Sequence, residues 1–280
     1  MTPTFLVIGA AGFTGRHLCR HLRDRNHKVV AVNRSPAADV EQCDLLDTEA
    51  LTYLLGRVRP SKIFHCAGSF SDNWDKDYKA NVILTQNLLE SVLVSGLGCR
   101  VFLIGSAAEY GSAFEGAANE EMPLLPNSVY GVTKAMQTAL MGYYCRRFNL
   151  DIVAARTFNL FGEGCSPTLF AGGVIQQARE VVAGSKQKIK VRSLESRRDY
   201  LPISAAVRAY LRIILHGASG EVYNVGSGNP IIMSSLLQEL ISPYGLTMDD
   251  VEVHAETQGT RASVPVIYAD LRKLNGLPAI

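Results

Sequence analysis

At 280 residues, with 47% hydrophobic and 19% charged side chains, the chain can bury a sizeable core without staples, and disorder is excluded. A net charge of +2 gives no field to draw it onto nucleic acid or an anionic membrane, so any bound anion must be held by local groups. The six cysteines are scattered, with no CxxC pair, and no stretch reaches the ~20 apolar residues of a bilayer span; a reduced, cytoplasmic protein is expected.

Strand-like and helix-like segments alternate from the start. Phe5–Ile8 reads as a buried strand and Arg16–Arg25 as a helix with Leu18 and Leu22 on one face. Val29–Val32 is a second strand, Glu49–Leu55 a short helix and Lys62–Cys66 a third strand. Tyr78–Val94 is a longer helix, Arg100–Ile104 a strand, Val129–Arg147 a helix, Ile152–Arg156 a strand and Leu169–Ala183 a helix. This order predicts an α/β fold with a parallel sheet covered on both faces. Beyond residue 162 the pattern loosens, although Glu221–Val225 still reads as a strand. A smaller lobe over the C-terminal edge of the sheet is expected there.

The first strand runs into Gly9-Ala10-Ala11-Gly12-Phe13-Thr14-Gly15, a GxxGxxG loop before a helix. Gly9 permits a tight turn, Gly12 lets backbone amides approach a pyrophosphate, and Gly15 allows close helix–strand packing. Phosphates would then sit at a helix N-terminus. An NAD site places a carboxylate about 20 residues further on, yet the second strand ends Asn33-Arg34-Ser35. A guanidinium there suits the 2′-phosphate of NADP, so NADP(H) is favoured over NAD(H). Asp44 is assigned to the adenine amino group and Asp47 to capping the helix near Thr48.

Tyr130 and Lys134 stand at i and i+4 near a helix start and share a face. An ammonium nearby stabilises the phenolate, which fits the tyrosine for proton exchange with a carbonyl or hydroxyl oxygen. Ser106 follows the Arg100–Ile104 strand, at the strand end where ligands of open α/β sheets bind. His17 and His21 lack a third ligand and read as surface residues, so no metal is expected.

Together the glycine loop, Asp44, Phe64-His65-Cys66-Ala67-Gly68, Asn81, Ser106 and the Tyr130/Lys134 pair resemble the extended short-chain dehydrogenase/reductase family over the first 165 residues. The resemblance implies a Rossmann-type doubly wound sheet with a smaller substrate-binding lobe. The expected division is 1–161 with 199–226 for the dinucleotide domain, and 162–198 with 227–280 for the lobe. It further implies a Ser106–Tyr130–Lys134 triad, a nucleotide-sugar substrate, and a homodimer formed by the Tyr78–Val94 and Val129–Arg147 helices. Cofactor contacts would come from Gly9, Gly12, Phe13, Gly15, Asn33, Arg34, Asp44, Leu45, Ala67, Asn81 and Thr157, besides Tyr130 and Lys134. Asn81 would hold the helix geometry behind the lysine.

The Leu194–Tyr200 segment is similar to the branch of GDP-mannose 4,6-dehydratases and GDP-6-deoxy-4-keto-mannose reductases. Arg156–Gly162 resembles the family's strand-end segment, which implies that Asn159 binds the substrate diphosphate, and Arg192, Arg198 and Arg261 are by the same resemblance candidate substrate contacts. The 4,6-dehydratases place acids just behind the catalytic hydroxyl, where this chain has Ala107 and Ala108; Glu109 is offset by one residue, turned to another face, and counted with the substrate contacts. The expected activity is NADP(H)-dependent reduction of a nucleotide-linked 4-keto-6-deoxyhexose, with a GDP-linked one favoured. An NAD-dependent epimerase, a 4,6-dehydratase and a non-catalytic dinucleotide sensor are the alternatives.

Overall fold

The computed structural model describes residues 3–192, 194–254 and 266–280. The first half alternates strand and helix: β1 (Thr4–Ile8), α1 (Phe13–Asp24), β2 (Lys28–Asn33), β3 (Glu41–Gln42), α2 (Thr48–Val58) and β4 (Lys62–His65). A short helix α3 (Trp74–Asp77) continues through a π-helical turn, Tyr78–Ile83, into α4 (Leu84–Ser95). There follow β5 (Arg100–Ser106), a 3-10 turn at Ala107–Glu109, β6 (Gly116–Ala118), α5 (Val129–Phe148) and β7 (Ile152–Thr157).

After β7 come β8 (Asn159–Phe161), α6 (Phe170–Val182), β9 (Ile189–Val191), β10 (Arg197–Arg198), β11 (Tyr200–Pro202) and α7 (Ile203–His216). The chain finishes with β12 (Val222–Val225), β13 (Ile231–Ile232), α8 (Met233–Ile241), β14 (Val251–Val253), β15 (Ile267–Ala269) and α9 (Arg272–Asn275).

Seven strands form one parallel sheet in the order β12-β7-β5-β4-β1-β2-β3. Strand β1 is wholly apolar after its first residue because successive side chains enter two different cores. Phe5 and Val7 join Phe64, Phe102 and Val153 beneath α1 and α7. Leu6 and Ile8 join Ile63, Val101 and Leu103 beneath α2, α4 and α5. The strand order reverses between β1 and β4, which opens a crevice at their C-terminal ends. The doubly wound Rossmann-type sheet is therefore as the sequence predicts.

Outside the main sheet the remaining strands form two-stranded pairs: β8 with β11, β9 with β14, β10 with β13 and β6 with β15. A separate core gathers Ala171, Val174 and Ala178 of α6 with Leu236, Leu237 and Ile241 of α8. Helices α7 and α8 have no counterpart in the sequence reading. The first returns to the main sheet, where Tyr210, Ile213 and Ile214 are buried, and the second closes the lobe. Among the described residues no helix is long and apolar enough to cross a membrane.

Candidate active site

The crevice between β1 and β4 opens into a groove of about 610 Å³ lined by Gly9, Gly12, Asn33, Arg34, Asp44, Leu45 and Ala67, among others. Gly9 adopts φ +78°, and a Cβ there would meet Ala67 N at 2.7 Å. A Cβ at Gly15 would lie 2.2 Å from the Gly9 carbonyl, so the turn packs against α1 only without side chains. Helix α1 has Gly12 as its N-cap, with no side-chain cap and no acid in its first turn. Its first-turn amides are thus available to an anion, and the groove fits a dinucleotide.

At the far end Asp44 Oδ1 accepts the Leu46 N–H at 3.0 Å, which holds the carboxylate beside Leu45 on the groove wall. Asp47 caps α2, accepting from Ala50 N at 2.9 Å. Asn33 donates to the Ser35 carbonyl at 3.0 Å and shapes the bend that presents Arg34. The Arg34 side chain is exposed and has no ion-pair partner among the described residues. Lys76 and Lys79, which sequence reasoning missed, line the opposite wall. Their only signal is a spacing of three on one helical stretch.

Ser128 caps α5 by accepting the Gly131 N–H at 3.0 Å, and this fixes the turn that carries Tyr130. Lys134, only 6% exposed, donates from Nζ to the Ile104 carbonyl at 2.8 Å and to Gln137 Oε1 at 3.1 Å. Its ammonium lies 6.0 Å from the Tyr130 ring centre. Burial pushes the Tyr130 phenol up to about 12, against the pull of a hydrogen bond with the Ser106 side chain. Burial also lowers Lys134 to about 8, against the opposing charge of Glu109. At neutral pH the pair is a protonated phenol beside an ammonium.

Behind Lys134 the polar contacts continue inward. Gln137 Nε2 donates to Thr85 Oγ1 at 2.7 Å, and Thr85 donates to the Asn81 carbonyl at 2.8 Å. His65 Nε2 is then the donor to Thr85, at 3.1 Å. Burial and the Lys134 charge push His65 down to about 3, so it stays neutral. Asn81 requires a correction as a cofactor contact. It is fully buried in the π turn, where its amide serves Ser69 and Thr133 (both bonds from Nδ2 at 3.0 Å). It ties the loop after β4 to the helix beside Lys134 and does not line the groove.

A second cavity of about 460 Å³ lies over Ser106 and Tyr130, lined also by Phe13, Ala107, Ala108, Thr157, Asn159 and Arg198. Thr157 hydrogen-bonds the Tyr210 hydroxyl at 2.9 Å, and Asn159 donates to the Asp199 carbonyl at 2.9 Å. Phe70, unforeseen from sequence, is 63% exposed and stands edge-on to the Tyr130 ring at 4.7 Å. Arg192 is exposed on the lobe and lines neither cavity. Arg261 lies outside the described residues.

Glu109 is the second correction. It was expected at the substrate, but the backbone after Ser106 turns into a 3-10 helix and does not continue as a strand. That turn carries Glu109 into the interior, where it is wholly buried and ion-paired to Arg156 at 3.0 Å.

The geometry agrees with what similarity finds. Residues 5–226 match the model of the NAD dependent epimerase/dehydratase family. GDP-6-deoxy-D-mannose reductase of Pseudomonas aeruginosa is 28% identical over 249 residues, covering 86% of this chain and 80% of that protein. UDP-glucose 4-epimerase of Mycolicibacterium smegmatis is 28% identical over 273 residues, covering 91% and 86%. The solved structure of RMD from Pseudomonas aeruginosa complexed with NADPH superposes with a TM-score of 0.83 at 23% identity, covering 98% of this chain and 91% of that one. A dinucleotide groove at the reversal of a parallel sheet, a Tyr/Lys pair at its edge and a family match across most of the chain agree: the protein belongs to the NAD dependent epimerase/dehydratase family, within the extended short-chain dehydrogenases/reductases.

Proposed function

We propose that the protein is an NADP(H)-dependent reductase of a nucleotide-linked 4-keto-6-deoxyhexose, with a GDP-linked substrate favoured. One observation carries the reading: no carboxyl group is among the described residues lining the cavity over Ser106 and Tyr130. Elimination of water from a sugar needs an acid beside the leaving hydroxyl, and Ala107 and Ala108 supply none. Carbonyl reduction needs only a proton donor, a hydrogen bond to orient the oxygen and a nearby cation, which are Tyr130, Ser106 and Lys134.

When bound, the nicotinamide supplies the hydride to the carbonyl carbon. Ser106 holds the carbonyl oxygen by a hydrogen bond, and Tyr130 donates its phenolic proton to it. Lys134 keeps its charge at neutral pH and stabilises the phenolate as it forms. Arg34, with no acid at the tip of β2, supports NADP(H) over NAD(H), and Lys76 and Lys79 add positive charge to the same groove. Arg198 and Asn159 offer a cation and an amide to the substrate diphosphate. The resemblance of Leu194–Tyr200 to the GDP-sugar branch supports the GDP-linked choice. Val94 and Tyr143, exposed on α4 and α5, support a homodimer through those helices.

The test is incubation with NADPH and a panel of nucleotide-linked 4-keto sugars, followed by loss of nicotinamide absorbance. Stoichiometric oxidation with a 4-keto-6-deoxy substrate is expected. Interconversion of two nucleotide sugars without net NADPH loss would replace this reading with epimerisation.

A further inference from the structure

Beneath the catalytic serine lies a carboxylate that reaches neither cavity. Glu109 Oε1 accepts the backbone N–H of Ser106 at 2.9 Å. Its Oε2 accepts from Thr138 Oγ1 at 2.8 Å and from Arg156 Nε at 3.0 Å. These donors come from three elements: the end of β5, α5 one turn beyond Lys134, and β7. Gly105 makes the room, since a Cβ there would meet Glu109 Oε1 at 2.6 Å and the Ala155 carbonyl at 2.7 Å.

Arg156 is anchored on its far side. Its Nη1 donates to the Glu120 carbonyl at 2.9 Å and to the Tyr110 hydroxyl at 3.3 Å. The Tyr110 hydroxyl donates onward to Asn224 Oδ1 on β12 at 2.8 Å. Stability alone is a poor reason for this arrangement, because well-packed apolar residues replace buried ion pairs without loss. What they cannot do is accept at once from the serine backbone and from the catalytic helix.

We propose that Glu109 is a positioning residue, which locks the Ser106 end of β5 to the helix bearing Tyr130 and Lys134 and so holds the serine and phenol hydroxyls at one spacing. The inference rests on the assignment of Ser106, Tyr130 and Lys134 as the reacting groups. A misplacement of ~1 Å at such a site costs on the order of 100-fold in rate, so a tie of this kind acts on turnover more than on binding. The same carboxylate lies near enough to Lys134 to favour its charged form.

Thr138→Val cuts the tie to α5 and leaves the Glu109–Arg156 pair intact. It should lower kcat by ~5–10-fold, the order of one lost hydrogen bond, with KM and NADPH affinity unchanged and the melting temperature a few degrees lower at most. Thr138→Ser, which keeps the hydroxyl, should restore kcat. Glu109→Gln removes the charge, so the pH midpoint of NADPH binding set by Lys134 should fall below that of the wild type. If Glu109→Gln is too unstable to purify, the Thr138 pair decides. Wild-type kcat in Thr138→Val, or an unmoved midpoint in a folded Glu109→Gln, would overturn the proposal. Tyr130→Phe measured alongside separates the two levels: full activity there sinks the triad, whereas the NADPH midpoint reports on Glu109 even if no sugar is turned over.

Discussion

The main sheet and the lobe present functional groups in different ways. In the sheet half, the groove is built at strand ends, and backbone does most of the placing: Gly9 and Gly12 at β1, Ala67 after β4, Ser106 at the end of β5. Seven parallel strands with both faces buried leave little freedom in where those ends lie. The lobe is assembled from strand pairs of two or three residues over a small helical core, and it reaches the site through side chains such as Arg198. On the proposed function, cofactor binding and chemistry fall to the half whose geometry is over-determined. Substrate choice is left to the half whose loops and long side chains vary most easily.

Each variant below either breaks that division of labour or sharpens it. The largest effect is expected for Tyr130→Phe, which should lower kcat by ~1,000-fold, in the range for loss of a positioned proton donor. NADPH affinity, read by fluorescence titration, should stay within about twofold, by the same argument that only proton transfer is lost. Activity close to wild type would remove Tyr130 from the chemistry.

Next, Arg34→Ala should weaken NADPH binding by ~10–100-fold, the order of a charge-assisted contact, and leave NADH binding unchanged. Equal losses for both cofactors would place Arg34 away from the 2′-phosphate. On the lobe side, Arg198→Met should raise KM for the nucleotide sugar by ~10-fold, with the NADPH dissociation constant unchanged. A parallel loss of NADPH affinity would show that the two halves are not separable.

The pH dependence is the mildest test. Reduction requires Tyr130 protonated, which holds through the neutral range because its phenol is pushed up to about 12. It also requires Lys134 charged, and burial lowers that group to about 8. The kcat/KM for reduction should therefore be flat below this value and fall as pH rises through it. A profile flat to pH ~10, near the ordinary lysine value, would mean that Lys134 is not desolvated as described.

The same division governs what could be read in advance. Strands β1, β2, β4, β5 and β7 and helices α1, α2, α4 and α5 follow from apolar runs, period-3.6 spacing and the capping residue Asp47, which are local signals, whereas the two- and three-residue strands β3 and β6 carry no such run. Helix α7 escaped because it begins directly after β11, with Pro202 as its N-cap and no side-chain cap. Helix α8 escaped for the same lack of a cap. Phe70 was missed because nothing local distinguishes a loop phenylalanine in a core from one beside a catalytic tyrosine. Glu109 was found as a residue but placed wrongly, while Asn81 stands behind the lysine as read but away from the cofactor groove. Asn81 sits in a π turn that no helical period foretells, and the 3-10 turn after Ser106 sends Glu109 inward where a strand would not.

By itself the sequence determined the glycine loop, the shared face of Tyr130 and Lys134, the strand-end serine and the guanidinium at the tip of β2. Each is a matter of residues a few positions apart, where backbone geometry leaves one outcome. The tertiary structure alone decided the partners of the buried charges. Glu109 meets Arg156, 47 residues on, because β5 pairs with β7, and it meets Thr138 because α5 packs across both. Such contacts are chosen by topology and burial, since a charge taken out of water must find its counter-charge wherever the fold brings one.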